Sequence, residues 1–561
     1  MPPGLFPRVS AETEWKLAPS SYKLGNIRME TEPSNRTIPA AEVNSEIKDY
    51  LQVSHRQHQL FPRAALVGVC AGSVAVTFRA LLAGADALRN MLVSWAHAVP
   101  LFGWVFPMAF SAAGATLGVA LVYRYAPETS GSGIPHLKAV LHRLRNLAWF
   151  RVLVVKLVGG VLAIGSGLAL GREGPTVQMG GAVGDGIARR LKVSTPERLT
   201  LTAAGAGAGL AAAFNAPLSG LVFILEEVQR DFRPAVFGAA FLAAAAADVV
   251  ARLASGQLPV FTVPDYAVPA LTVLPAFIVL GCVAGALGVL FNRCLLQTVN
   301  YMARFPGPSA FGVAATIGAI AGLIAWFFPL AVGGGQSLAE TVLTGNMALS
   351  AIAVGFLLRF GLTLSSYGTG AAGGIFSPLL VLGALLGLAV GQIARWVTPG
   401  LVTQPGVFAV VGMAAYFTAI VRAPLTGVVL ILEMTGNYEQ MLPLLASCFC
   451  AYAVAEYLKD VPIYEALLER DLRRRGIATD KKEPMVVEME VEESAPFVGQ
   501  AVRTLGLPAG CVLVRCDLDG REWVPMATTI LKAHTRITAV ITPEAGDALA
   551  ILRRGCSASA A

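Results

Sequence analysis

Charge is scarce in this chain. Of its 561 residues, 14% are Asp, Glu, Lys or Arg, against 55% that are hydrophobic, where a soluble globular chain carries about 25% charged residues. A shortfall sustained over this length argues against a soluble protein with a water-facing surface. Cysteine patterning is missing too. The eight cysteines (70, 282, 294, 448, 450, 511, 516 and 556) form no CxxC pair and no framework spacing, so they read as small apolar residues, not a redox or metal set. The six histidines cluster only as His55/His58 and His136/His142, with no HExxH; neither a metal nor another cofactor is expected. The first 60 residues hold seven basic and seven acidic side chains and lack the short apolar core of a cleaved secretory signal. The basic runs border apolar segments without interleaved aromatics, which argues against nucleic acid as a partner.

Long apolar stretches take the place of charge. Segments 62–94, 98–123, 267–292 and 309–332 hold few charges or none, and each can cross a hydrocarbon core of about 30 Å, which takes roughly 20 helical residues. The expectation is an all-α polytopic membrane protein, entering the membrane near Phe61 and leaving it near residue 458. Arg143, Arg145 and Arg151, then Arg189, Arg190, Lys192 and Arg198, then Arg473, Arg474, Arg475, Lys481 and Lys482 gather in short loops, which positive-inside bias assigns to the cytoplasmic face. From Met485 the pattern alternates as in a small α+β domain. VVEMEVE, CVLVRC, REWVP and RITAVIT read as strands, DLDG as a turn and EAGDALAILRR as a closing helix.

Other apolar segments are too short to span: 201–213, 216–227, 407–420 and 423–434, each punctuated by Gly or Pro. Broken helices survive in a bilayer only when buried in protein or lining a wet cavity. Two of these segments repeat. AAFNAPLSGLVFILEE (212–227) and AIVRAPLTGVVLILEM (419–434) align without a gap, and duplicated halves with matching broken segments place a substrate site at their interface. Sequence similarity leaves open whether the halves run parallel or inverted.

A dehydrated small anion needs hydrogen-bond donors without a full positive charge that would trap it. Helix N-termini supply free N–H groups and roughly half a positive charge. GSGIPHLK (131–138), GREGPTVQ (171–178) and GGIFSPLL (373–380) each combine glycines with a proline just inside the helix start. Any one alone is as easily a tight connection. Ser132 adds a hydroxyl, and Tyr464, in VPIYEALL, another. Glu173 stands at a helix start in an apolar stretch, where a charge is costly enough that function is the default expectation. Its carboxylate can occupy the anion's own nest and leave when protonated; the plain alternative is a cap paired with Arg172. In the repeat Glu226 matches Glu433, which fits a shared structural role. Glu227 faces Met434 and suits work that one half alone performs, unless it is a solvated helix-end carboxylate. An intramembrane enzyme is not supported: Ser132 has no base nearer than His136, with no orienting acid in the sequence.

At these residues the sequence resembles the CLC family of chloride channels and chloride/proton antiporters, whose signature elements are GSGIP, GREGP, GGIFSP and the tyrosine of VPIY. The resemblance implies an inverted repeat of broken and tilted helices, a homodimer with one anion pathway per subunit, and chloride and protons as partners. Carried over motif by motif, Ser132 and Tyr464 would donate hydroxyls to a central chloride, the N–H groups of Ile375 and Phe376 would complete its site, and Gly131 and Gly174 belong to the same nest. Glu173 resembles the external gating glutamate, and Glu227, second in FILEE, the internal proton-transfer glutamate of the antiporters. Its presence favours exchange over the alternative, a passive gated chloride channel on the same scaffold. Ser132 in GSGIP resembles chloride-selective members more than nitrate-selective ones, and the intact motifs differ from the fluoride-exporting branch. One departure is His136-Leu137-Lys138, where family members often carry an acidic residue first; it lies off the coordinating atoms. The paired CBS domains of many members are absent. Residues 485–554 resemble instead the RCK C-terminal (TrkA-C) regulatory domain, with His534-Thr535 where Gly-Asp is usual, implying dimerisation and a small ligand such as a nucleotide. The organisation expected is a cytoplasmic N-terminal tail (1–60), a CLC-type transmembrane domain (61–470), a linker (471–484), the TrkA-C-like domain (485–554) and a tail (555–561), with both termini cytoplasmic in a prokaryotic inner membrane.

Overall fold

The computed structural model describes residues 40–557 except 262, 265, 268, 477–484, 519–520, 543–544 and 546, with side chains from residue 59 onward. Residues 40–56 are helical and belong to a unit separate from the rest of the chain; residues 1–39 of the expected tail and 477–484 of the expected linker lie outside the described residues. Seven described helices are long and apolar enough to cross a membrane: Gln59–His97, Val105–Tyr125, Pro234–Ser255, Leu271–Met302, Pro308–Phe327, Leu349–Gly368 and Phe376–Val397. Six bury only 33–44% of their most apolar window, leaving an apolar remainder on the outside of the chain, whereas Phe376–Val397 buries 72%. That helix runs through the protein interior, and its first residue belongs to GGIFSP.

Between the spans lie helices too short to cross: Ile134–Leu141, Pro217–Phe223, Gln336–Leu343, Pro424–Thr435 and Ile463–Arg474. Their ends leave backbone groups inside the protein, and buried charged side chains satisfy several of them. Fully buried Lys156 donates to the carbonyls of Thr129 and Gly131 (2.8 and 2.6 Å). Fully buried Arg359 donates to Ala331 and Gly334 (3.0 and 2.6 Å). In each case a cation that would be costly in hydrocarbon closes an irregular loop that would be equally costly there. Glycine does the close packing. Helices Glu173–Arg190 and Thr195–Phe214 meet at Gly180, Gly184, Gly205 and Gly209, where an added Cβ would run into the opposite backbone, the small-residue contact expected of helices that associate in lipid.

The repeated segments lie antiparallel, each capping the other. The Glu226 carboxylate accepts the N–H groups of Leu425 and Thr426 (3.1 and 2.7 Å) and the Thr426 hydroxyl (2.7 Å). The Glu433 carboxylate accepts the N–H groups of Leu218 and Ser219 (3.0 and 2.7 Å) and the Ser219 hydroxyl (2.5 Å). The acid at the end of each helix thus satisfies the first turn of the other. Reciprocal end-to-start contacts require opposed axes, so the repeat is inverted.

The C-terminal domain is a four-stranded antiparallel sheet, β1 (Met485–Glu490), β2 (Cys511–Leu518), β3 (Arg521–Trp523) and β4 (Arg536–Ile541), in the order β1-β4-β2-β3. Helix Ala548–Cys556 closes it. Leu513, Cys516, Ile537, Ala539 and Leu552 form its core with Phe497. The four strands and the helix fall on the segments whose alternation points to them; residues 519 and 520 of the expected DLDG turn lie outside the described residues.

Candidate functional site

The three Gly-rich helix starts converge. Gly171 and Gly374 form an isolated antiparallel bridge, with Gly171 N–H donating to the Gly374 carbonyl at 2.7 Å and Gly374 N–H returning to the Gly171 carbonyl at 2.8 Å. This pair ties GREGP to GGIFSP. The 131 segment joins them through Gly131 N–H, which donates to the Ala371 carbonyl at 3.0 Å. Gly174 rests on Ser132: a Cβ at Gly174 would stand 2.8 Å from Ser132 Cβ and 2.9 Å from its carbonyl oxygen. Gly133, at φ +82, turns the chain through the left-handed region into Ile134–Leu141, a conformation that glycine adopts without strain.

Each helix is aimed by its packing. Phe376, fully buried, is locked among the rings of Phe214, Phe223 and Phe417 (centroids 5.4, 6.0 and 4.5 Å away). That fixes the first turn of Phe376–Val397, whose leading N–H groups, like those of any helix, have no partner within it. Ile375 is the residue before that helix and is equally buried. Ser132 is buried, and its hydroxyl oxygen accepts the Ile134 N–H at 3.3 Å, leaving the hydroxyl proton to donate elsewhere. Tyr464, one residue into Ile463–Arg474, is fully buried and its hydroxyl has no hydrogen-bond partner among the described residues. It lies within electrostatic reach of Glu173, Glu227 and Tyr367.

Glu173 opens the helix Glu173–Arg190 and is 2% exposed. One carboxylate oxygen, Oε2, has no hydrogen bond of good geometry among the described residues; the other is 3.8 Å from Arg172 Nε. An ion pair at that length satisfies the acid poorly. The carboxyl fills the space beside Gly171 that a side chain there would take, next to the Ser377 backbone nitrogen. It also lines a cavity of about 750 Å³ together with Arg79, Asp86, Arg89, Arg172 and Glu340. A smaller cavity of about 170 Å³ reaches Gly131 and Tyr367 from another side, past Arg145, Arg470 and Arg474. The two share no lining residue, so the buried region between Glu173 and Gly131 is approached by separate routes.

Glu227 is buried, not solvated. Its Oε1 pairs with Lys138 Nζ at 2.7 Å, and the two side chains are 1% and 4% exposed. Glu226 and Glu227 are neighbours on different faces of a segment that widens into a π-helical turn over Ile224–Val228, closed by Gln229 N–H to the Ile224 carbonyl at 2.9 Å. The matching stretch of the other repeat is α-helical throughout Pro424–Thr435. Asymmetry of sequence at Glu227/Met434 therefore coincides with asymmetry of backbone, and π-turns of this kind sit frequently at functional sites.

Sequence reasoning treated Lys138 as incidental and did not single out Tyr367, whose hydroxyl stands 3.4 Å from the Ser132 backbone nitrogen, or Lys156, whose Nζ holds the Gly131 carbonyl. The signal for both lysines was available, since each is a lone cation in an apolar segment.

Comparisons with known proteins give the chain's family. Residues 113–456 match the family described as voltage gated chloride channel, and residues 486–552 match the TrkA-C domain. The H(+)/Cl(-) exchange transporter ClcA of Vibrio parahaemolyticus is 41% identical over 416 residues, 73% of this chain and 89% of that protein. The ClcA of Yersinia pestis is 37% identical over 446 residues, 78% of this chain and 92% of the relative. Among solved structures, a slow cyanobacterial Cl-/H+ antiporter is similar with TM-score 0.72 and 35% identity, covering 74% of this chain and 99% of the other. A CLC-type fluoride/proton antiporter, 22% identical at TM-score 0.61 over 71% of this chain and 96% of its own, shares the fold. Helix starts brought together by an inverted repeat, and relatives that span nearly their whole length on it, leave one assignment: this chain is an integral membrane protein of the voltage gated chloride channel (CLC) family, with a TrkA-C domain at its C-terminal end.

Proposed function

We propose that the chain exchanges chloride for protons across the membrane, as secondary active transport, with Glu173 as the gate and Glu227 as the inner proton-transfer group. The observation that carries this reading is the Glu173 carboxyl: buried at a helix start, beside the Ser377 backbone nitrogen, with one oxygen that has no hydrogen bond of good geometry among the described residues. A carboxylate there takes the place of a dehydrated anion, and protonation removes the charge that holds it. Chloride would bind between the helix starts, receiving the N–H groups of Ile375 and Phe376 and the hydroxyls of Ser132 and Tyr464, with Gly131 and Gly174 permitting the close approach. The relatives named H(+)/Cl(-) exchange transporters and the buried Glu227 support exchange over passive conduction.

In this reading two copies assemble, each with its own pathway, in a prokaryotic cell membrane with both termini cytoplasmic. The C-terminal domain, matched to TrkA-C, serves as a regulatory unit for a small ligand; a nucleotide-dependent thermal shift of the whole chain tests that role. Transport is tested in liposomes under a pH gradient. The reversal potential should move with the gradient, and Glu173→Ala and Glu227→Gln should each lose proton movement while still passing chloride. A potential indifferent to pH would establish the passive channel instead.

A further inference from the structure

Four charged side chains form a graded line from solvent to Glu227. Arg230 is 54% exposed and its NH2 lies 2.5 Å from Glu465 Oε1, which is 33% exposed. The same Glu465 oxygen is 3.9 Å from Lys138 Nζ, 4% exposed, which in turn pairs with Glu227, 1% exposed, at 2.7 Å. Lys138 comes from helix Ile134–Leu141, Glu465 from Ile463–Arg474 beside Tyr464, and Glu227 and Arg230 from the π-turn and its exit. These are the charged groups facing Glu227 from the elements around it, with Tyr464 the nearby hydroxyl.

A buried ion pair is costly to break by removing one partner, because the other charge is left uncompensated. Proton uptake by Glu227 does this to Lys138. A second carboxylate stands within 3.9 Å of the same ammonium, and a lysine stem is long and flexible enough to change partner. We propose that Lys138 is a positioning residue for proton transfer, paired with Glu227 while that carboxyl is charged and handed to Glu465 when it takes up a proton. The inference rests on the antiporter reading. The proton binds a Glu227 oxygen, the Lys138–Glu227 pair opens, and the Lys138–Glu465 contact closes. Arg230, already on Glu465, holds that acceptor in place from the solvent side.

The two partners of Lys138 then act in opposite directions, which a merely structural lysine does not require. Without the ammonium, Glu227 keeps its proton to higher pH. Without the charge on Glu465, Lys138 stays with Glu227, which loses its proton at lower pH. Full-length protein in liposomes is assayed for proton flux across a pH series, with chloride flux in the same vesicles reporting that each variant is folded and inserted. Lys138→Met should raise the pH at which proton flux falls to half by about 1–3 units, the displacement an opposite charge at this range imposes on a carboxyl. Glu465→Gln should lower it, and Lys138→Arg should return the wild-type profile. An unchanged profile in Lys138→Met overturns the inference. So does a shift of Glu465→Gln that is absent or upward, which decides the matter even when Lys138→Met does not fold. Wild-type vesicles that carry chloride but no protons overturn the antiporter reading, and the inference with it, by a distinct result.

Discussion

Replacing Glu226 or Glu433 by alanine should destabilise the protein by closely similar amounts. Each carboxylate accepts two backbone N–H groups and one hydroxyl from the first turn of the other repeat's helix. The donors divide into the same two kinds on both sides. Leu218 and Leu425 are exposed, so water can replace the lost acceptor at the first N–H. Ser219 and Thr426 are fully buried, so their N–H and hydroxyl are left with nothing. An unsatisfied buried donor costs about 1–3 kcal/mol, and the carboxylate's interaction with the helix start adds about 0.3–1 kcal/mol. Allowing for relaxation, each alanine variant should lose about 2–4 kcal/mol, and glutamine, which keeps an acceptor oxygen without the charge, roughly half of that. Thermal or denaturant unfolding of the purified protein measures the cost; chloride and proton fluxes of Glu226→Gln, with the coupling ratio intact, separate it from the neighbouring Glu227. If one alanine variant is costly and the other neutral, the reciprocal capping of the repeats is wrong. If Glu226→Gln uncouples protons, the division of labour between adjacent acids is wrong as well.

Two further outcomes follow from the site itself. Tyr464→Phe should weaken chloride binding several-fold by calorimetry while leaving the unfolding free energy in chloride-free buffer within about 0.5 kcal/mol of wild type, because the hydroxyl has no hydrogen-bond partner among the described residues; equal losses in both would make it a structural group. Gly174→Ala should part the 131 and 171 segments, since its methyl would stand 2.8 Å from Ser132 Cβ. Overpacking at a buried backbone contact costs about 1–3 kcal/mol, and chloride flux should fall further than the stability loss explains; undiminished flux would show that this contact does not shape the site.

What the sequence made legible, and what it hid, divides along a physical line. Hydropathy and the ungapped repeat were enough for an α-helical membrane protein of two related halves, because apolar length and duplicated motifs are properties of the string itself. Glycine and proline at helix starts marked the 131, 171 and 373 loops, because those residues have local conformational reasons to be there. Strand alternation marked all four strands of the C-terminal sheet. The repeat residues alone leave its orientation open, since identical residues serve parallel and inverted halves alike; the family resemblance implies inversion, and the Glu226 and Glu433 contacts display it. Lys138 stayed hidden for a related reason. Its importance lies in a partner, Glu227, which is remote in the chain and which it meets only after folding. A charge in an apolar segment announces that a partner exists without naming it.

The inverted repeat also suggests where transport chemistry must reside. Two halves related by a pseudo-twofold axis give a frame in which each contact is made twice: Glu226 on the 425 turn and Glu433 on the 218 turn, Gly171 to Gly374 and Gly374 back to Gly171. A frame so balanced has no preferred direction, whereas coupling two ions requires that they part company somewhere. The residues proposed to do so are those the symmetry does not duplicate. Glu227 has Met434 opposite it in the repeat and sits in a π-turn where its counterpart is α-helical. Its ion partner Lys138 belongs to a short helix start, and Glu465 to the helix that carries Tyr464. On this view the duplicated contacts hold the frame, and the proton's path is held by residues that have no counterpart in the other half. Substitutions at duplicated positions should then register as stability, in matched pairs, and those at Glu227, Lys138 and Glu465 as coupling.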